Sequence, residues 1–171
     1  DLGGPIARLI PAQFRDFFGA DTRLTANGIQ LDAGGMRLDA LRIDSAALDL
    51  DASAETTADG FLRRLDLKGS LDDGTDAPIV LPVPGGQTTV NRADFNLSFG
   101  EGDEWSGLIT VQDLATAEFA AGNTQINLTG TKQNIDDPFT RRLTFAIDGN
   151  VSEITAKRAD VAQALGDRIT L

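Results

Sequence analysis

Residues 41–54 read LRIDSAALDLDASA, and the second half sets Leu48, Leu50, Ala52 and Ala54 on one parity against Asp49, Asp51 and Ser53 on the other. Successive side chains of a strand point to opposite sides, so this spacing predicts a strand with one dry face and one acidic face. The first half, Leu41 and Ile43 against Arg42 and Asp44, has the opposite numbering parity. A bulge or tight bend over residues 45–47 is expected to bring both halves onto one face. The rest of the chain reads as copies of this element laid side by side.

Upstream, Leu24 and Ala26, then Ile29 and Leu31, then Met36 and Leu38 keep the period of two, with turn signals at Asn27-Gly28 and Gly34-Gly35. Downstream, residues 61–71 set Leu65, Leu67, Gly69 and Leu71 against Asp66, Lys68 and Ser70, and Asp72-Asp73-Gly74 turns the chain. Residues 90–99 bring Phe95, Leu97 and Phe99 together, and Trp105, Gly107, Ile109 and Val111 form the next inward row. Strands over 118–120, 126–130 and 143–151 complete the set, with Ile126, Leu128, Leu143, Phe145 and Ile147 facing in. The pattern apolar-x-apolar-x-Gly recurs at Gly28, Gly69, Gly130 and Gly149, which predicts a sheet that curves strongly. Residues 79–84 (IVLPVP) carry two prolines that cannot donate to a ladder, so they belong at an edge, in a crossing segment or in a lid.

Helical spacing appears near the ends. Within residues 5–18, Ile10, Phe14, Phe17 and Phe18 recur at helical intervals; a turn from Pro5, a helix over 11–18 and a stop at Gly19 are expected. That helix either caps the end of the dry face or acts as a mobile gate or membrane-touching element. A second short helix is expected over 157–165, followed by Gly166-Asp167-Arg168-Ile169-Thr170, which echoes Gly19-Ala20-Asp21-Thr22-Arg23-Leu24-Thr25. With Asp1 rather than Met in first place, the chain reads as one segment of a larger repetitive protein. Its parts are a helical cap over 1–19, a β groove over 22–154 and the start of a next repeat over 157–171.

The 171 residues suit one domain, and 15 Lys plus Arg against 26 Asp plus Glu give a net charge of −11, which disfavours nucleic acid and anionic surfaces. Histidine, cysteine and tyrosine are absent. Their absence removes the commonest general base, the commonest metal ligand and all thiol chemistry. The acidic runs at 72–76, 101–104 and 136–137 read as solvated turns; none carries the ligand spacing of a calcium loop. No catalytic residue, metal or cofactor is expected, and function rests on the dry face, which needs either a second sheet or a guest.

The Phe17-Phe18-Gly19 helix end, the 41–54 double strand, the Leu65 to Leu71 strand, the Trp105-Ser106-Gly107 strand and the Ala164-Leu165-Gly166-Asp167 restart together resemble the periplasmic part of the TamB family of translocation and assembly module proteins, within the AsmA-like group of bridge-like proteins. The resemblance covers most of the chain. It implies a mainly β fold, an elongated, taco-like open groove with an apolar interior and an acidic exterior, in the periplasm and within an inner-membrane-anchored protein. It further implies phospholipid transport towards the outer membrane, or support of outer-membrane protein assembly with an Omp85-type partner. Under that implication the groove lining is Leu38, Ile43, Leu48, Leu50, Leu65, Leu67, Leu71, Phe95, Leu97, Phe99, Ile109, Val111, Ile126, Leu128, Leu143, Phe145 and Ile147. A strand-accepting chaperone and a closed acidic β-sandwich with a structural or adhesive role are the competing expectations.

Overall fold

The computed structural model describes residues 2–5, 10–11, 14–83, 87–100, 102–157 and 168–170. In chain order the elements are β1 (Leu2–Pro5), α1 (Arg15–Phe18), β2 (Arg23–Asp32), β3 (Gly35–Asp44), β4 (Leu48–Thr56), β5 (Leu62–Leu71), β6 (Ile79–Val80) and β7 (Thr89–Val90). They continue with β8 (Arg92–Phe99), β9 (Glu104–Ala115), β10 (Phe119–Gln133), β11 (Arg142–Leu143), β12 (Ala146–Ser152), β13 (Thr155–Ala156) and β14 (Arg168–Thr170). The fold is mainly β: one antiparallel sheet in the order β1-β2-β3-β4-β5-β8-β9-β10-β12-β14, with β11 and β13 on β10 and the β6–β7 ribbon joined to β9. The sheet is open, since β1 and β14 end it without pairing to each other.

The stretch 41–54 is a hairpin rather than one bent strand. Asp44 pairs with Asp49, and Ile43 with Leu50, so paired numbers sum to an odd value and odd residues meet even ones. That arithmetic explains the parity switch, and the two halves do share a face. Residues 45–47 form the connection, closed by the Ser45 amide donating to the Leu48 carbonyl at 2.9 Å. The register irregularity lies elsewhere in β3, between Leu38 and Leu41.

Three other expectations need correcting. Asn27-Gly28 is not a turn: β2 runs through it, with Gly28 at φ 64°, and the chain reverses at residues 33–34. The strands expected at 118–120 and 126–130 are one continuous strand, β10, because Ala120 to Thr131 keep an unbroken register with β9. The N-terminal helix is only the single turn α1, and Pro5 closes a strand paired to β2 instead of opening a turn. The helix expected over 157–165 lies outside the described residues beyond Lys157.

Helix α1 ends at Gly19, whose φ of 76° suits glycine, and the Phe18 carbonyl accepts the Ala46 amide at 3.0 Å. A Cβ at Gly19 would sit 2.8 Å from the Ala46 Cβ, so this docking on the β3–β4 turn requires glycine. The buried cluster is small: Ala47, Ile79 and Val90, with Phe17, Leu71, Leu81, Val111 and Leu114 packed on it. Ile79 and Val80 of the proline-bearing stretch form β6, an outer strand paired to β7, and Ile79 joins this cluster.

Candidate functional site

Residues paired across a ladder lie on the same face, so the register strings side chains into rows perpendicular to the strands. One row crosses eight strands as Leu24, Ile43, Leu50, Gly69, Phe95, Ile109, Ile126 and Gly149. The next runs Ala26, Leu41, Ala52, Leu67, Leu97, Gly107, Leu128 and Ile147. On one side of these lies Leu48, Leu71, Ala93, Val111, Thr124 and Val151; on the other, Ile29, Leu38, Ala54, Leu65 and Phe99. Most of these side chains are half-buried, and among the described residues no second layer seals them.

The opposite face is polar and mixed in sign. Its rows read Arg23, Asp44, Asp49, Ser70, Asp94, Thr110, Gln125, Asn150 and Thr25, Arg42, Asp51, Lys68, Asn96, Leu108, Asn127, Asp148. Arg42 bridges Asp49 at 3.1 Å and Asp51 at 3.0 Å, and those two carboxylates raise its pKa. Arg92 likewise holds Asp72 at 2.7 Å and Asp94 at 3.2 Å. Exposed pairs of this kind are screened by solvent and add little to stability, so they order the polar face more than they stabilise it.

Glycines on the apolar face make room for rings on the adjacent strand. A Cβ at Gly69 would approach Phe95 Cζ to 2.6 Å, and one at Gly130 would run into the Trp105 indole. The Trp105 indole donates to the Thr144 carbonyl at 3.1 Å and its ring lies 6.1 Å from that of Phe99.

Both margins of the face carry further structure. At the Leu48–Leu71 margin sits the Ile79–Val90 cluster with Phe17; Ile10 is buried, Phe14 is half-buried, and Phe18 stands edge-on to Phe17 at 4.9 Å. At the other margin Lys132 is buried, its ammonium 4.4 Å from the centre of the Phe99 ring. That ammonium donates to the carbonyls of Gly100 and, at 2.7 Å, Arg63. In the sheet β8 and β9 lie between β10 and β5, three ladder spacings or about 14 Å when flat. A lysine cannot span that, so the sheet curls at this margin. Arg63 donates to Asp136 at 2.9 Å and Arg141 to Asp59 at 2.7 Å, which straps residues 134–141 over the curl. Burial pushes the Lys132 pKa below the ordinary lysine value.

The register places the expected lining residues on one face. Leu143 pairs with Lys132, and the same register sets Phe145 opposite Gly130; yet Leu143, Phe145 and Ile147 stay 48%, 72% and 50% exposed because β14 covers only residues 150–152. Leu24 and Leu41, which keep the period of two, belong to the face as well, and Thr124 belongs to it without having been expected there. Thr124 Oγ1 is buried without a hydrogen-bond partner among the described residues. Lys132 was also missed, although the even-numbered run Ile126, Leu128, Gly130 points straight to it. In the acidic run at 72–76, Asp72 accepts from the Gly74 amide at 2.8 Å as well as from Arg92, and Asp73 accepts from the Thr75 amide at 2.9 Å.

No protein-family model, curated protein or solved structure matches this chain.

Proposed function

We propose that the chain is a non-enzymatic conduit segment whose apolar face shields phospholipid acyl chains. One observation carries the reading: apolar rows eight strands wide lie on one face of an open sheet, with no second sheet over them among the described residues. Seven ladder spacings make each row about 34 Å long. One leaflet of a bilayer's hydrocarbon core is about 15 Å thick, so an acyl chain fits along a row with room to move. Burial is worth roughly 0.8 kcal/mol per methylene and has no directional preference, so a chain held this way slides from strand to strand without a specific lock. The apolar lining and polar exterior make the groove soluble outside and greasy inside. The cargo, the periplasmic setting and a link to outer-membrane biogenesis rest on the resemblance to AsmA-like proteins.

Native mass spectrometry of detergent-free protein, followed by lipid extraction, tests this. Leu67 lies mid-row between Ala52 and Leu97, so Leu67→Asp sets a carboxylate in the path of the acyl chain. Wild type is expected to carry phospholipid, and the variant, folded by circular dichroism, to lose at least about tenfold in occupancy, the equivalent of 1.4 kcal/mol. A wild type that takes up no phospholipid when offered it refutes the conduit and leaves strand capture to be tested with barrel-strand peptides.

A further inference from the structure

The sheet curls where Lys132 at the end of β10 reaches the Arg63 carbonyl on β5, and a cavity of about 570 Å³ opens at that margin. Its walls come from Arg63, from Gly102 and Asp103 of the β8–β9 turn, from Lys132, and from Asp136 and Thr140 of the strap over 134–141. That volume lies within the roughly 300–1,000 Å³ of small-molecule sites. The strap keeps its shape by bonds of its own: the Asp137 amide donates to the Asn134 carbonyl at 3.0 Å, the Arg141 amide to the Asp137 carbonyl at 2.9 Å, and Thr140 Oγ1 to the Asp137 carboxylate at 2.7 Å. The Lys132 amide donates to the Asp103 carbonyl at 2.6 Å, which ties the turn to β10. Walls set in this way keep the ordering cost of binding low.

This cavity adjoins the margin of the apolar face. Lys132 follows Ile126, Leu128 and Gly130 on that face, is 6% exposed, and holds its ammonium over Phe99, the ring that continues the row of Ala54 and Leu65. A lipid whose acyl chains lie on the face can set its polar end here, and charge decides which polar end fits. The walls carry both signs. Among the described residues Lys132 spends two of its three N–H groups on the Arg63 and Gly100 carbonyls, and Arg63 spends three of its five on Glu55 and Asp136. The donors that remain suit a phosphate. Asp136 is held by Arg63 and Asp137 by the Phe139 amide and Thr140, whereas the Asp103 carboxylate has no side-chain partner among the described residues. A purely anionic headgroup would face Asp103, Asp136 and Asp137, and a purely cationic ligand would face Lys132 and Arg63. A zwitterion with a phosphate and an amine satisfies both sets. A quaternary ammonium seeks aromatic faces, and Phe99 is already covered by Lys132, whereas a primary amine donates directly to a carboxylate.

We infer that this cavity takes a zwitterionic phosphoethanolamine headgroup, its phosphate against Lys132 and Arg63 and its primary amine against Asp103. The inference rests on the conduit reading and adds to it a choice among phospholipids. Lipids that share acyl chains meet the apolar face alike, because apolar burial has no directional preference, so selection falls to this polar margin.

A competition among headgroups tests it. The full chain, free of detergent, is offered vesicles of equal parts phosphatidylethanolamine, phosphatidylglycerol and phosphatidylcholine with identical acyl chains, then separated from them, and its bound lipids are extracted and counted by mass spectrometry. The ethanolamine lipid is expected to be enriched at least about threefold over each of the others, the scale of one charged pair in a half-open site. Asp103→Asn keeps the shape of the wall and removes its charge; it is expected to take up as much phospholipid in total, but in nearly the offered ratio. Asp148→Asn removes a charge from the polar face instead and is expected to leave the enrichment intact. Uptake by wild type in the offered ratio, an Asp103→Asn protein that keeps the enrichment, or an Asp148→Asn protein that loses it overturns the inference and leaves the conduit standing. A wild type that takes up no phospholipid overturns both.

Discussion

Replacing Gly69 with alanine separates this fold from an ordinary strand by the sign of its effect. Gly69 is paired with Leu50 on one side and Phe95 on the other, and its φ is not in the left-handed region. In an open strand interior, glycine to alanine stabilises by roughly 0.5–1 kcal/mol because the unfolded chain loses freedom. Here the new Cβ would lie 2.6 Å from Phe95 Cζ and 2.7 Å from the Asp49 carbonyl oxygen. The ring can swing aside but the carbonyl belongs to the β4 backbone, so strain of about 1–3 kcal/mol is expected to outweigh the entropic gain. The single tryptophan, Trp105, reports urea unfolding by its fluorescence. With a slope of about 2 kcal/mol per molar, the middle of the range for small proteins, a net loss of about 2 kcal/mol lowers the midpoint by about 1 M. At Gly107 the nearest atom is the flexible Leu97 Cδ1 at 3.0 Å, so Gly107→Ala should move the midpoint less. Adding Phe95→Leu to Gly69→Ala should recover part of the loss, the carbonyl contact remaining. A Gly69→Ala midpoint equal to or above that of wild type refutes the packing of Phe95 over this glycine.

At the curled margin, Lys132→Met keeps the stem over Phe99 but strips the Arg63 and Gly100 carbonyls of their donor, which should destabilise by about 1–3 kcal/mol in urea unfolding. Burial lowers the Lys132 pKa, so the unfolded chain binds that proton more tightly. Stability from this group therefore rises as pH climbs between the lowered value and the ordinary lysine pKa of about 10.4, and Lys132→Met should lack the rise. The Asp59 pKa is lowered by its bond from Thr57 and then by Arg141, and that of Asp137 by the Phe139 amide and Thr140. Their contribution is present above the ordinary carboxylate pKa of about 3.9 and lost as pH falls below it. Hydrogen exchange of residues 134–141 should accelerate in that acid range before β4 and β5 do. High salt at neutral pH should loosen the same strap through Arg63–Asp136 and Arg141–Asp59, leaving the β10 ladder protected.

The faces were legible because a period of two survives in every long strand, and Leu65, Leu67 and Leu71 needed no partner to be assigned. The parity switch between Ile43 and Leu48 held the hairpin in plain view, since only a reversal with an odd pairing sum makes odd and even residues share a face without a bulge. Asn27-Gly28 misled because a bulge and a turn ask for the same positive φ, and local sequence does not tell them apart. The recurring glycines were read as marks of curvature; that Gly69 lies under a ring of the adjacent strand depends on register across strands. Curvature was expected from the glycines, but where the sheet curls stayed hidden because Lys132, Arg63 and Arg141 meet partners 69 to 82 residues away. The run Ile126, Leu128, Gly130 sets Lys132 on the apolar face, but the carbonyls of Arg63 and Gly100 that hold its ammonium lie far away in the chain.

Apart from the β6–β7 ribbon and the β11 and β13 spurs, the strands follow one another across the sheet in the order in which they occur in the chain. Each ladder therefore closes a short loop, and few contacts wait for distant segments to meet. Such a sheet can assemble like a zip, one hairpin templating the next, much as stacked repeats do. A fold built this way lengthens by adding strands at its growing end, with no core that must be complete before any part is stable.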